Sequence, residues 1–201
     1  MMTFNLIDEP WIPVVGRKRV SLKQVFSDET ISGLAGTPLE KIAVLKLLQA
    51  ISQASDPPAD TQEWRKSGAD LLVFGKTCNA YLEKNHEAFD LYGDKPFLQV
   101  KAVTEAKKCP IGALYPHIAS GNNTVWRSEQ IPESLDDGEK ARLLLVQMSC
   151  GFAGKRPDSK FSIKKGLVKK SAHAGPAIER LGALHSFCLG KSLLETVWLN
   201  T

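Results

Sequence analysis

The sequence predicts an α+β fold in which a small antiparallel sheet, built on one hairpin, packs with several helices and long loops. Two segments predicted as strands, Ile12–Val15 and Arg19–Leu22, flank the turn Gly16-Arg17-Lys18, which is typical of a hairpin. Farther along, several stretches carry helix caps or apolar residues at helical spacing. The composition, 43% hydrophobic and 24% charged over 201 residues, is that of an ordinary globular protein.

The chain before and after the hairpin has two local signals. Asp8-Glu9-Pro10 is predicted to bend the chain between two short extended pieces, because Pro10 fixes its own φ and keeps Glu9 out of the helical region. After the hairpin, Ser21 is in position to cap a short helical turn through Leu22–Phe26.

Two helices are predicted in the middle of the chain. The first, Pro38–Ser52, has Thr37 at N-cap and Glu40 three residues later, which together form a capping box. The second extends from Asp60 or Thr61 to about Lys84, and its two glycines indicate either a break or a close helix contact. The face of the first helix that we expect to be buried comprises Leu39, Ile42, Ala43, Leu47 and Ile51.

The second half alternates loops and helices. Asp94–Val100 follows a turn and is predicted to enter a strand, and residues 116–136 form a long polar loop of a kind that is usually functional or disordered. Helices are predicted at about Asp137–Cys150 and at Lys191–Leu199. Because the chain stops on the apolar segment Trp198–Thr201, we expect it to be an N-terminal portion of a longer protein.

The residues give no support to an enzyme or to a cofactor. There is no phosphate-binding loop, nucleophile elbow or metalloprotease motif. The adjacent carboxylates Asp8-Glu9 and Asp136-Asp137 suit turns and caps better than acid–base catalysis. A structural or surface role is favoured for the histidines, since a working histidine needs an orienting carboxylate; they are His86, His117, His173 and His185.

Cysteine spacing and hydropathy bear on three further properties: metal binding, membrane insertion and location in the cell. Because no two cysteines form a C-x-x-C pair, we expect them to be reduced, mostly buried and not metal ligands; they are Cys78, Cys109, Cys150 and Cys188. The sequence has neither a signal peptide nor an apolar run long enough for a membrane span, so the cytoplasm is the default location.

Positive charge is concentrated in the last quarter of the chain. Residues 151–201 carry nine Lys/Arg and three Asp/Glu, a net charge of +6, whereas residues 1–150 have a net charge of −2. Such clustering favours binding to a polyanion. The basic residues of this stretch are Lys155, Arg156, Lys160, Lys164, Lys165, Lys169 and Lys170. A solvated charged loop is the alternative interpretation.

Two further segments contain side chains suited to nucleic acid. The loop 121–128 has asparagine and arginine groups that hydrogen-bond bases and a tryptophan that can stack on one; these are Asn122, Asn123, Trp126 and Arg127. Small residues in the second segment let the backbone approach a ligand closely; it is Gly151, Phe152, Ala153 and Gly154. The alternatives are a turn that buries Trp126 and a glycine-terminated helix.

Several segments, in this order, resemble one family: Asn5–Val15, Ser21–Phe26, Asp94–Gln99, Ser120–Trp126, Gly151–Gly154 and Leu193–Asn200. The chain is similar to the large subunit (CasA family) of the type I-E CRISPR Cascade surveillance complex. The resemblance implies that residues 1–201 correspond to an N-terminal portion of that subunit, without the family's C-terminal helical bundle.

The same resemblance implies a non-enzymatic role and a set of partners. Its partners would be the other Cascade subunits, the 5′ handle of the CRISPR guide RNA, double-stranded target DNA and the nuclease-helicase recruited by the full-length family, with no membrane. By position, residues 122–127 would face the guide-RNA handle and the backbone subunits, and residues 151–154 would approach the protospacer-adjacent motif (PAM). The alternative is a protein-interaction module that docks in a larger ribonucleoprotein without reading DNA; a small enzyme with an unrecognised site ranks third.

Overall fold

A computed structural model describes residues 3–99, 134–150 and 185–201, together with positions 108 and 111. Within these residues the fold is α+β, as predicted. Its strands are β1 (Ile12–Val14) and β2 (Arg17–Val20), and its helices are α1 (Leu22–Val25), α2 (Pro38–Ser55), α3 (Thr61–Ser67), α4 (Leu71–Lys84), α5 (Asp137–Cys150) and α6 (Leu193–Leu199), with a 3-10 turn at His86–Phe89.

The predicted hairpin is present, with a tighter turn than expected. Strands β1 and β2 are antiparallel, Ile12 lies opposite Val20, and the register shifts before Val14 meets Arg17. The second strand therefore begins at Arg17 rather than Arg19. Gly16, at φ +77°, adopts the left-handed conformation that a short turn requires, so fewer residues are needed to reverse the chain.

The bend in the opening segment is confirmed, but it begins earlier than predicted. The backbone N–H groups of Asp8 and Glu9 both donate to the carbonyl of Asn5, at 3.2 and 2.9 Å. The chain from Asn5 to Glu9 therefore forms a turn rather than an extended piece. Trp11 is fully buried and its indole N–H donates to the Leu6 carbonyl at 2.9 Å. The predicted Ser21 cap is confirmed as a complete capping box on α1.

Helix α2 has the predicted capping box from Thr37 and Glu40 and continues three residues beyond the predicted end, to Ser55. The predicted buried face was wrong in part. The fully buried stripe is centred on Val44, Leu48 and Ile51, whereas the predicted members at its edge are only partly covered. Helices α4, α5 and α6 all pack on α2, which the spacing of apolar residues along one helix does not reveal.

The stretch predicted as one helix to Lys84 consists of α3 and α4, and its two glycines act differently. Gly68 ends α3, and a Cβ built there would lie 2.1 Å from the Trp198 ring. Gly75 stays within α4, where a Cβ would lie 2.0 Å from the Phe26 carbonyl oxygen. Both predicted alternatives, a break and a close contact, therefore occur.

The predicted strand entry at Asp94–Val100 was wrong for residues 94–99, which form turns; Val100 lies outside the described residues. Leu98 has a φ of +53°, which is incompatible with an extended strand. The segment is fixed instead by Phe97, which is buried and stacks on Phe89 with ring centroids 5.5 Å apart. An aromatic anchor, rather than a ladder of hydrogen bonds, holds this stretch.

The last two helices complete the core. Helix α5 has the predicted bounds and packs on α2. Helix α6 begins two residues later than predicted, after the Ser192 cap, and buries Leu193, Leu194 and Val197 against α2 and α4. Among the described helices, none is long and apolar enough to cross a membrane.

Candidate functional site

The residues predicted to bind nucleic acid lie outside the described residues, so their placement stays a prediction. They are Asn122, Asn123, Trp126, Arg127, Gly151, Phe152, Ala153, Gly154, Lys155, Arg156, Lys160, Lys164, Lys165, Lys169 and Lys170. The histidines at 117 and 173 and the polar loop up to residue 133 lie outside as well. The structure does describe the helix that lies between the two predicted segments in sequence.

Helix α5 connects the two segments. The described residues resume at Ser134, three residues before the helix, and the glycine segment at 151 directly follows its last residue, Cys150. Its 14 residues span about 21 Å at the standard helical rise. The glycine segment is therefore attached directly to the C-terminal end of this helix, whereas the loop 121–128 only precedes its N-terminal end in sequence.

The N-terminal end of α5 is held by Asp136. Its carboxylate accepts a hydrogen bond from the Glu139 N–H at 2.8 Å, and the Glu139 carboxylate accepts one from the Asp136 N–H at 2.9 Å, which forms a capping box. Arg19 on β2 donates to the second Asp136 oxygen at 2.8 Å. Burial raises the pKa of Asp136, but the hydrogen bond from Arg19 and that from Glu139 outweigh it and leave the pKa lowered. The predicted cap role of Asp136 is thereby confirmed.

The next residue fixes the same end to the loop after the 3-10 turn. Asp137 accepts a hydrogen bond from the Tyr92 hydroxyl at 2.5 Å and from the Lys140 ammonium at 2.7 Å. The hydrogen bond from Lys140, followed by that from Tyr92, lowers the pKa of Asp137. Asp137 therefore stays ionised as a structural group at neutral pH.

Arg142 anchors the middle of α5 from a buried position. Its Nε donates to Glu40 Oε1 at 2.8 Å and its Nη1 donates to the Trp11 carbonyl at 2.8 Å, so one side chain joins α5, the start of α2 and the segment before β1. Burial raises the pKa of Glu40, but hydrogen bonds from Thr37 and Arg142 outweigh it and leave the pKa lowered. Sequence reasoning missed Arg142; an arginine directly before an apolar run on a helix was the available signal.

A groove of about 1150 Å³ lies beside His86, whose own ring nitrogens are engaged. His86 Nε2 lies 2.7 Å from Asp8 Oδ2, and its Nδ1 faces the Asn5 amide nitrogen at 3.3 Å. His86 therefore joins the 3-10 turn to the opening segment through both ring nitrogens. The predicted isolation of His86 was therefore wrong, since it has a carboxylate partner in Asp8, and its structural role stays a prediction.

Carboxylates dominate the lining of this groove: Asp8, Glu9, Glu83, Glu87, Asp90 and Asp94 face Lys84 and Lys95. An acidic surface repels phosphate, so this face is unsuited to nucleic acid. Among the described residues, no group of three or more His, Cys, Asp or Glu side chains is arranged to hold a metal ion.

The cysteines whose side chains are described differ from each other. Cys78 is buried in α4, and burial raises the pKa of its thiol to about 11. Cys188 is exposed. Both are free, as predicted, but only Cys78 fits the expected buried position.

Comparison with known proteins identifies the class as the CRISPR-associated proteins. A family model described as CRISPR-associated protein Cse1 matches residues 5–201, and the chain therefore belongs to the Cse1 family. CRISPR-associated protein CasA/Cse1 of Thermus thermophilus is 30% identical over 211 residues, a match that covers 98% of this chain. The chain spans 39% of the length of that relative.

Solved structures agree with the family. Cse1 from Acidimicrobium ferrooxidans superimposes with a TM-score of 0.70 at 27% identity and covers 100% of this chain, which in turn covers 38% of that protein. A chain of a structure titled CRISPR RNA-guided surveillance complex matches with a TM-score of 0.67 at 19% identity, over 98% of this chain and 43% of that one. The second likeness concerns the fold alone.

Proposed function

We propose that this chain is a non-enzymatic part of a CRISPR RNA-guided antiviral surveillance complex in the cytoplasm. It contacts the 5′ handle of the guide RNA and the other Cascade subunits, and it takes part in recognising the PAM on double-stranded DNA. The observation that carries this proposal is membership of the Cse1 family across residues 5–201. The nuclease-helicase recruited by the full-length family is the further partner.

The described structure supports different roles for two parts of the chain: helix α5 as a support for nucleic-acid contacts, and the groove at His86 as a face without them. Three sets of contacts hold α5 in place: the buried Arg142, the Asp136 cap, and the hydrogen bonds that Asp137 accepts from Tyr92 and Lys140. The glycine segment proposed to contact nucleic acid directly follows that helix in sequence, and a rigid support lowers the entropy that such a segment loses on binding. The acidic groove at His86 repels phosphate, so we expect nucleic acid to contact other faces of the chain.

The basic stretch is tested by charge reversal in the assembled complex. Lys164→Glu with Lys165→Glu removes about two phosphate contacts, so the slope of log affinity against log salt for duplex DNA falls by about 2. The matched control reverses two exposed lysines of the described part, Lys41 and Lys76, and leaves affinity and slope unchanged. Equal DNA affinity in the two variants would remove the basic stretch from the proposal.

Trp126→Ala distinguishes this function from a module that only docks in the ribonucleoprotein. If residues 122–127 serve docking alone, the substitution abolishes assembly with the other subunits but spares the affinity of the chain for DNA. Under the proposed function, it weakens the contact with guide RNA as well. Size-exclusion co-elution measures assembly, and binding of the isolated chain to handle RNA, which weakens only under the proposed function, separates the two outcomes.

A further inference from the structure

A second groove, of about 490 Å³, lies where the end of α2, α3 and the start of α4 meet. Pro58, Ala69, Val73 and Phe74 supply the apolar part of its lining. It is separate in sequence from α5 and from both segments proposed to contact nucleic acid. The inference drawn from it is therefore independent of the proposed function.

Apolar side chains at this groove remain accessible to solvent. Val73 is 55% exposed and its neighbour Leu72 is 42% exposed, although both lie in the first turn of a helix whose next residue, Phe74, is buried. A single exposed apolar residue is ordinary, but two adjacent ones beside a concave, partly apolar surface offer area that a partner can bury.

The charged residues around this apolar lining are mostly acidic. Asp56, Glu63 and Asp70 line the groove with Lys66 as the basic residue, which gives a net charge of −2. Within the described part of the chain, none of the four forms an ion pair. Negative potential over an apolar surface favours a cationic partner and disfavours nucleic acid.

We propose that this groove, defined by Pro58, Glu63, Val73 and Phe74, binds a segment of a partner protein in which an apolar side chain is flanked by lysine or arginine. The apolar side chain contacts Val73 and Phe74. The flanking cations lie beside Asp56, Glu63 and Asp70. Binding of this kind combines an apolar anchor with charges that set orientation.

The test uses the full chain and a fluorescein-labelled ten-residue peptide with two central leucines and four flanking lysines, followed by fluorescence anisotropy. Two control peptides replace the lysines with glutamates or the leucines with serines. The proposal expects the lysine–leucine peptide to bind at least tenfold more tightly than either control. It also expects binding to weaken as salt increases from about 0.05 to 0.5 M.

Matched variants locate the peptide on the surface. Val73→Ser removes two methyl groups from the groove and weakens binding about fivefold. Val15→Ser makes the same change at a valine of nearly equal exposure, 57%, on the hairpin tip and leaves binding unchanged. Glu63→Gln keeps the acceptor for the Ala59 N–H and weakens binding about threefold through loss of charge.

Three results would overturn the proposal. The first is equal binding of all three peptides, and the second is equal loss in Val73→Ser and Val15→Ser. The third is self-association of the chain that Val73→Ser abolishes, measured by sedimentation velocity, which would assign the groove to a second copy instead. Circular dichroism of each variant establishes that it is folded.

Discussion

Replacing Arg142 with methionine tests the anchoring of α5 most sharply. The change removes the donors to Glu40 and to the Trp11 carbonyl, both at 2.8 Å, and leaves a carboxylate whose side chain is only 18% exposed without its cation. Breaking a buried ion pair costs about 3–5 kcal/mol, and an unsatisfied carbonyl about 1–3 kcal/mol. Because Thr37 still donates to Glu40 and the carboxylate is partly exposed, we expect a total below the sum of the two lower limits, about 3 kcal/mol.

Urea unfolding followed by tryptophan fluorescence measures this loss. With a slope of about 2 kcal/mol/M, the midpoint falls by about 1.5 M. The matched control is Arg17→Met, which breaks an ion pair with Asp28 at 2.5 Å whose arginine side chain is 47% exposed. An exposed pair contributes about 0–1 kcal/mol, so the midpoint moves by less than about 0.5 M.

The pH dependence gives a second readout of the Arg142 anchor. The pKa of Glu40 is lowered in the folded chain, so its ionised form stabilises the fold above its ordinary pKa of 4.5, and this stability is lost as pH falls through the lower, folded value. In Arg142→Met that contribution shrinks, and the two proteins converge in stability as pH falls. Equal loss in Arg142→Met and Arg17→Met, or a pH-independent gap, would refute the reasoning.

Three further predictions concern groups in other parts of the fold. Gly75→Ala lowers the free energy of unfolding by about 1–3 kcal/mol in urea melts, because the added Cβ meets a backbone carbonyl and this overpacking exceeds the gain in helix propensity. Hydrogen bonds from Thr30 and then Arg17 lower the pKa of Asp28 to about 2 from 3.8, so the parent protein loses the stability from this carboxylate as pH falls through about 2. Asp28→Asn lacks that stability at every pH. NMR titration of the parent protein shows the low midpoint. In a variant that retains only Cys78 and Cys188, a disulfide reagent at pH 8 modifies Cys188 in the folded chain and Cys78 only after unfolding, and equal rates would contradict the burial of Cys78.

Local signals in the sequence predicted most elements of the fold. The cap at Ser21 and the capping box at Thr37 depend on residues three positions apart, and both are present as expected, the first as a complete box. The hairpin was predicted from a short turn that contains a glycine between two strands. Errors occurred where a distant group decides the conformation. Residues 94–99 form turns because Phe97 packs on Phe89, and the extent of the buried face of α2 depends on neighbours that no periodicity describes.

The side-chain contacts of the site were harder to predict from the sequence than the fold was. Arg142 and Glu40 are 102 residues apart, and His86 and Asp8 are 78 apart, so neither pairing has a local signature. Family resemblance, by contrast, was available from the order of short segments such as the one that begins at Asn5, and the match over residues 5–201 confirms it. The nucleic-acid residues themselves stay a prediction.

The central claim is that this chain joins a CRISPR surveillance complex and contributes to PAM recognition, and reconstitution tests it most directly. The purified chain is mixed with Cascade backbone subunits loaded with guide RNA, and co-elution and duplex binding are measured with and without candidate PAM sequences. The account predicts co-elution and tighter binding to duplexes that carry a PAM. A folded chain that does not associate, or an assembled complex that binds both kinds of duplex equally, would contradict it.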